Sequence, residues 1–234
     1  MRKCEFGEVT MSTRTAFLVI VCLICLATLS GLLLWDRLPQ QMASHWNAAD
    51  EVDGYMARFW GVFLMPLISV GLAAMFWVIP LIDPLRENIA RFRGVFNLFI
   101  VLIIVFMLYM HVLTLVYNLG VHFAMSRMML PAVGVLIYFA GELIRQAKRN
   151  WFIGIRTPWT LSNDRVWEET HRLGSLLFKI AAVLIVISAF LGNIGAWVVL
   201  AAILLAAFVP IVYSYLLFER LRRELLGSEV REKK

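Results

Sequence analysis

Six long apolar stretches alternate with polar segments along the chain. Each stretch approaches or exceeds the roughly 20 apolar residues that an α-helix needs to cross a hydrocarbon core. The predicted stretches are Ala16–Trp35, Phe59–Ile82, Val95–Tyr117, Met128–Ile144, Leu173–Gly192 and Ile194–Phe218. The pattern therefore predicts an all-α fold, a polytopic membrane protein built as a bundle of six transmembrane helices.

The distribution of charge adds an orientation to this picture. Charged residues are only 16% of the chain and hydrophobic residues 61%, whereas a soluble domain carries about 25% charge. If the N-terminus is inside, 18 of the 22 lysines and arginines lie in inner segments and three in outer segments. Positive residues favour the cytoplasmic face, so we expect both termini in the cytoplasm, beneath the cell (inner) membrane. Topology then explains the net charge of +6, and no contact with nucleic acid is expected.

Two polar segments are long enough to carry structure of their own. The outer loop 36–58 belongs to a predicted two-span region, 1–94, and the inner loop 145–172 to a four-span region, 95–234. The outer loop is expected to form a hydrated, Ω-like loop. The inner loop is expected to begin as a surface-lying or re-entrant strand and then become an amphipathic helix that continues into the fifth span.

The outer loop offers polar residues for an encounter outside the cell. The candidates for binding a toxin or another ligand are His45, Asn47, Asp53 and Gly54. A bound cation, a bound peptide and a merely hydrated loop all remain open for this set.

A second outer feature is a histidine followed by two methionines, His122, Met125 and Met129. Their spacing predicts one helical face with soft ligands, which would suit copper(I). Methionine also fills gaps in apolar cores, so no metal site is assigned and no cofactor is expected.

The inner loop carries the denser set of candidates, for partner binding or for structure. They are Gly154, Arg156, Thr157, Pro158, Asn163, Asp164, Trp167 and His171. Glycine permits positive φ, the proline pushes the preceding threonine to an extended conformation, and Ser162 or Asn163 can cap the following helix.

Three expectations concern the side chains of this loop. Arg156 is expected either to pair with Asp164, Glu168 or Glu169 as an ion-pair lock, or to present a docking surface. Trp151, Trp159 and Trp167 are expected at headgroup depth. For His171 a partner-facing switch, a metal ligand and packing against Trp167 are all open.

Polar residues inside the spans are functional candidates because a charge at a helix centre is costly. His111 and Lys179 are the intramembrane candidates, and Glu142 lies near the inner end of its span. His111 is expected to form a hydrogen bond across helices, and Lys179 to reach the interface with its amine. Cys22 and Cys25 are expected to be packing residues of the first span, and Cys4 to be cytosolic.

Two motifs resemble a known family. The segment "NWFIGIRTPWTLSNDRVWEETHRLG" resembles the signature of the SdpI family, bacterial membrane proteins that give immunity to a secreted killing peptide. The segment "LPQQMASHWNAADEVDGY" resembles the N-terminal membrane domain of unknown function that accompanies this family. Asp50 stands where that pattern has glycine, which is expected to alter the tight turn.

The resemblance implies a non-catalytic immunity protein whose partners are the lipid bilayer and a secreted peptide toxin. In the family's best-known member it also implies a signal receptor that sequesters a cytosolic transcriptional repressor. The residues alone leave two other classes open, a small transporter or metal-handling protein and a membrane enzyme. The chain has no His-Glu-x-x-His, P-loop or Gly-x-Ser-x-Gly motif, so we expect no enzyme.

Overall fold

A computed structural model describes residues 10–232 of the chain, and the side chains of residues 193 and 228–232 are not described. Within that range six helices are long and apolar enough to cross a membrane. They are α1 Thr13–Leu34, α2 Arg58–Ile82, α4 Arg93–Asn118, α5 Met125–Gln146, α7 Asp164–Ser188 and α8 Asn193–Glu232. Arg2, Lys3, Cys4, Lys233 and Lys234 lie outside the described residues. The predicted all-α, six-span architecture is confirmed, and this is a multi-pass membrane protein.

The spanning helices pack in two neighbouring groups. Helix α4 lies against α1 and α2, whereas α7 lies between α5 and α8, and contacts between α4 and α5 join the groups. At the α7–α8 contact the buried residues are the small Ala181, Ala202 and Ala206, which let two helices approach closely. The predicted division at residues 94 and 95 stays a prediction.

The outer loop is a β-hairpin rather than the expected Ω-like loop. Strand β1, Gln41–Trp46, pairs antiparallel with β2, Val52–Ala57, with irregular register around His45. Met42 and Ala43 of β1 are buried against the bundle. The Asn118 amide accepts a hydrogen bond from the Ala43 N–H at 2.7 Å and donates one to the Ala43 carbonyl at 3.0 Å. The hairpin is therefore fixed to the end of α4.

The inner loop divides at Pro158. Before it, residues 147–157 form no regular strand, so the predicted strand is wrong. The one-turn helix α6, Pro158–Ser162, begins at the proline, whose fixed φ suits a first helical position, and Thr157 and Thr160 cap each other. Helix α7 then starts at Asp164 with Asn163 as its cap. The predicted helix that continues from this loop into the fifth span is confirmed.

Two short elements complete the chain. A 3₁₀ turn, Trp35–Arg37, leads from α1 towards the hairpin, and α3, Arg86–Ala90, lies between α2 and α4. Helix α2 starts at the hairpin and ends at Asp83, beside the inner loop. Its 25 residues, at about 1.5 Å each, separate the two loops by roughly 37 Å. The hairpin and the inner loop therefore lie at opposite ends of the bundle.

Candidate functional site

The hairpin brings three of the four predicted outer residues together. His45 Nδ1 lies 2.5 Å from Asp53 Oδ1, and both side chains are exposed. Gly54 faces His45 across the strands, and a Cβ at this position would lie 2.8 Å from the His45 Cβ. Glycine is required at position 54 because no side chain fits there. His45 and Asp53 form an exposed imidazole–carboxylate pair beside it.

Asn47, the fourth predicted outer residue, closes the hairpin turn. Its side-chain oxygen accepts hydrogen bonds from the Ala49 N–H at 2.9 Å and the Glu51 N–H at 3.0 Å. Asparagine commonly forms such bonds to its own turn. The structure thus gives Asn47 a role in shaping the loop, and leaves His45 and Asp53 on its surface.

Asp50 connects the hairpin turn to α5. Its φ is 60°, a left-handed conformation that aspartate tolerates better than most residues, so the turn keeps a conformation suited to glycine. Its carboxylate accepts hydrogen bonds from the Ser126 N–H at 2.7 Å and from the Ser126 hydroxyl at 2.6 Å. The side chain that replaces glycine therefore caps the first turn of α5.

A cavity of about 440 Å³ lies beneath this turn. Its walls are the hairpin turn from Trp46 to Asp50, the start of α5, the end of α7 and the start of α8. Cavities of this size suit small ligands or one or two residues of a peptide.

His122, Met125 and Met129 do not share a helical face, so that prediction is wrong. His122 precedes the first turn of α5, where its ring contacts Tyr117 edge-on at 4.8 Å. Met125 is buried. No group of three His, Cys, Asp or Glu side chains that could hold a metal occurs among the described residues.

At the inner end, Trp167 and His171 form a buried stacked pair, with ring centroids 4.0 Å apart. The indole N–H donates to the Ala147 carbonyl at 2.8 Å. Trp167 is 1% exposed, so it belongs to the core that holds the inner loop, and its depth in the membrane stays a prediction.

The two nitrogens of His171 have opposite roles. Nδ1 donates to the Trp167 carbonyl at 2.7 Å, and Nε2 accepts from the Ile155 N–H at 2.9 Å. These partners fix a neutral imidazole with its proton on Nδ1, because a carbonyl only accepts and an amide N–H only donates. Of the three alternatives for His171, the structure shows packing against Trp167.

Gly154 makes this arrangement possible. Its φ is 117°, and a Cβ there would clash with His171 Nε2. The glycine in the motif is therefore required by positive φ together with close approach to the imidazole.

The predicted ion-pair lock of Arg156 is wrong. Its guanidinium donates to the Trp151 carbonyl at 2.7 Å. The three proposed carboxylates pair with other cations: Asp164 with Arg149 at 3.0 Å, Glu168 with Lys148 at 3.4 Å, and Glu169 with Arg172 at 4.0 Å. Lys148 and Arg149 are close because the chain folds back between Lys148 and Glu168, and Arg172 lies one helical turn from Glu169 in α7.

Asn150 is a residue that the sequence analysis missed. It is fully buried, and its side-chain oxygen accepts from the Phe152 and Ile153 N–H groups at 2.9 and 2.6 Å. Its amide donates to the Lys148 and Ile153 carbonyls at 2.8 and 2.9 Å. The only sequence signal was an asparagine at the start of a segment rich in tryptophan.

Contacts with other loops and helices hold the inner loop, residues 145–172 and called the inner segment from here on, in place. Buried Asp83, after α2, accepts from the Trp151 N–H at 2.9 Å. Asn88 donates to the Arg149 carbonyl at 2.8 Å, and the Thr157 and Ser214 hydroxyls lie 3.1 Å apart. The segment is thus braced by α2, α3 and α8 at once.

The intramembrane candidates fall in different helix pairs. Lys179 of α7 pairs with Glu142 of α5 at 2.8 Å, instead of extending its amine to the interface. His111 of α4 is fully buried and faces the Ala27 backbone of α1, but neither ring nitrogen has a hydrogen-bonding partner among the described residues. The polar contact of His111 across helices is therefore with the Ala27 backbone, without a hydrogen bond of ordinary geometry.

Cys22 and Cys25 lie exposed on the outer surface of α1. Both lie in the first span as predicted, but their exposed side chains are not part of the described core. In a spanning helix this surface faces lipid, which suits small apolar side chains.

The comparisons with known proteins match both ends of the molecule. Residues 146–214 match the SdpI/YfhL protein family, and residues 20–70 match a domain of unknown function (DUF1648). Residues 146–214, which are similar to that family, are called the SdpI-matched region below. The resemblance predicted from the motifs is thereby confirmed.

A curated relative agrees with the family match. The chain is 23% identical over 205 residues to "Immunity protein SdpI" of Bacillus subtilis (strain 168), covering 87% of this chain and 96% of that protein. No solved structure matches.

The two matched regions meet at the outer cavity. The region that matches DUF1648 supplies its hairpin wall, and the SdpI-matched region supplies the end of α7 and the start of α8. The SdpI-matched region also contains the braced residues from Asn150 to His171.

Proposed function

We propose that this protein gives the cell immunity to a secreted peptide toxin, without catalysis, from the cell (inner) membrane with both termini in the cytoplasm. The observation that carries the proposal is the exposed His45–Asp53 pair on a hairpin fixed to the bundle. An exposed polar group on a rigid support suits recognition. The name of the Bacillus relative supports immunity as the purpose of that recognition.

The two loops are assigned different tasks. The hairpin, with His45, Asn47, Asp53 and Gly54, meets the toxin. The inner segment, with Gly154, Arg156, Thr157, Pro158, Asn163, Asp164, Trp167 and His171, braces the bundle. The division is supported by distance, since one small ligand cannot touch both ends of a bundle that spans a core about 30 Å thick.

A second candidate is a signal receptor that sequesters a cytosolic repressor. It is supported by Trp151 and Phe152, which are 51% and 37% exposed beside the cationic Arg156 and Lys148. Aromatic and arginine residues are enriched at protein interfaces. A pull-down with the full chain should lose the repressor on Trp151→Ser if this receptor role is real, and an undiminished yield would contradict it.

Transport is less well supported by the arrangement of polar groups. The Glu142–Lys179 pair joins α5 to α7, whereas His111 lies in the group formed by α1, α2 and α4. A proton or ion path needs such groups in one line.

Immunity is tested by deleting the gene and exposing the strain to the small-peptide fraction of medium in which the parent has grown. We expect the deletion strain to survive less well than the parent, and survival to return when the gene is restored or the fraction is treated with protease. Equal survival of parent and deletion strain would contradict immunity.

The role of the hairpin is tested in the same assay with His45→Ala and Asp53→Asn. Each should raise sensitivity about tenfold at unchanged abundance, the loss of about 1.4 kcal/mol of binding free energy. Gln41→Ala, at an exposed position of β1, is the matched control and should protect fully. Full protection by both test variants would remove the hairpin from the site while leaving immunity intact.

A further inference from the structure

Two residues in the wall of the outer cavity have hydrogen-bond donors that are not paired with an acceptor among the described residues. Arg127 lines the cavity and is exposed, and its guanidinium has no hydrogen bond or ion pair within the described residues. The indole N–H of Trp46, another wall residue, is buried without an acceptor in the same part of the chain. Both groups are donors without an acceptor, and the guanidinium of the exposed Arg127 is the one that is open to a ligand.

The carboxylate of Asp50 does not supply that acceptor, because both its oxygens already bind Ser126. The helix ends around the cavity also favour a negatively charged ligand. Helices α5 and α8 both begin there, and the amino end of a helix favours negative charge.

The end of α7 also reaches the cavity, and its carbonyls would oppose an anion. They are largely occupied: the carbonyls of Val186, Ile187 and Ser188 accept hydrogen bonds from the N–H groups three residues later. The Ser188 hydroxyl donates to the Ile185 carbonyl at 2.6 Å. The groups left free to bind a ligand are therefore the donors.

The remaining walls are apolar. Leu130, Ala196 and Val199 line the cavity beside Arg127. A ligand that fills it must combine an acceptor, preferably anionic, with a compact apolar group, because buried donors need partners and apolar walls exclude water.

We propose that this cavity binds the carboxyl-terminal residue of a peptide, with the terminal carboxylate at Arg127 and an apolar last side chain against Leu130, Ala196 and Val199. The choice of a peptide rests on the proposed immunity function. The chemistry of carboxylate and apolar group rests on the cavity itself. Arginine forms two parallel hydrogen bonds with a carboxylate, which gives both affinity and orientation.

The proposal is tested by binding to the purified full chain in lipid nanodiscs. The probe is a fluorescent pentapeptide, Ala-Ala-Ala-Val-Leu, labelled at its amino end and with a free terminal carboxylate. The same peptide with an amidated carboxyl end should bind at least tenfold more weakly. Laurate, which has a carboxylate and an apolar chain but no peptide group, separates a fatty acid from a peptide as the occupant.

Two variants and one control locate the binding. Arg127→Gln removes the charge and should weaken binding of the free-carboxylate peptide about tenfold, without affecting the amidated peptide. Ala196→Phe fills the cavity and should weaken both peptides. Arg37→Gln changes an exposed arginine next to the hairpin that is not part of the cavity, and should leave binding unchanged.

The outcomes separate this proposal from the immunity proposal. Equal binding of the free and amidated peptides, equal loss on Arg127→Gln and Arg37→Gln, or full displacement by an equal concentration of laurate would overturn the peptide site. If the gene protects and Arg127→Gln still protects fully at normal abundance, the cavity is not the toxin site although immunity stands. If the peptide binds through Arg127 but gene deletion leaves survival unchanged, immunity falls and the carboxylate site remains.

Discussion

Gly154 shows how one residue fixes the inner segment. With φ at 117° and His171 against the position of its missing Cβ, Gly154→Ala introduces backbone strain and displaces the imidazole that accepts the Ile155 N–H. We expect the variant to lose about 2–4 kcal/mol of unfolding free energy, measured by chemical denaturation in detergent micelles.

Gly71→Ala is the matched control for that variant. Gly71 lies within α2, and no neighbour meets an added Cβ, so alanine should be neutral or stabilise by about 0.5–1 kcal/mol. Similar losses from both variants would contradict the role of Gly154 in holding the imidazole.

Local chemistry made some residues predictable. Asn163 caps α7, because capping depends on residues two and three positions away. The partner of Arg156 was not predictable, since three carboxylates and several cations lie within the same segment and the fold decides which of them meet. The burial of Trp167 was not predictable for a related reason: a tryptophan near the end of a span can face lipid or pack in a core, and only the fold brings its indole to the Ala147 carbonyl.

At the scale of elements, the contact between α5 and α7 contains the half-buried pair of Glu142 and Lys179. The amine lies 2.8 Å from the carboxylate and 5.3 Å from the ring centroid of Tyr138. Arg145 and Gln146 also donate to Glu142, so the carboxylate keeps partners when Lys179 is lost. When Glu142 is changed, Lys179 loses the one carboxylate that it contacts among the described residues.

A double-mutant cycle tests this coupling. Glu142→Gln should destabilise more than Lys179→Met, and the double variant should be more stable than the sum of the single losses predicts, by about 1 kcal/mol. Thermal unfolding in detergent gives the four values. Strict additivity would show that the pair lies at the helix contact without holding it together.

The elements themselves were unequally predictable. The spanning helices were evident because a run of about 20 apolar residues rarely occurs outside a membrane-spanning helix. The hairpin was not evident, because β1 buries the neighbouring residues Met42 and Ala43 at an irregular register instead of alternating. Its turn is closed by Asn47 and Asp50 without a two-residue glycine turn, and its cavity depends on the distant start of α8.

At the scale of the whole molecule, the relative position of the two loops follows from the fold, but their assignment to outside and inside follows from charge. Helix α2 places the hairpin and Asp83 at opposite ends, whichever way the bundle is inserted. The excess of lysine and arginine in the segments predicted to be inside is the basis for the predicted orientation of the bundle in the membrane. The proposed toxin encounter requires the hairpin outside.

Orientation can be measured by labelling single cysteines in intact cells with a membrane-impermeant thiol reagent. Cys4, Cys22 and Cys25 are first replaced by serine, and cysteine is then placed at Ala49 or Arg165, both exposed. Arg165 is preferred to Asn163 on the inner side because Asn163 caps α7. Because the bilayer excludes the reagent, Ala49→Cys should label in intact cells and Arg165→Cys only after permeabilisation. The reverse pattern would place the hairpin and its cavity in the cytoplasm, and neither could then meet a toxin arriving from outside.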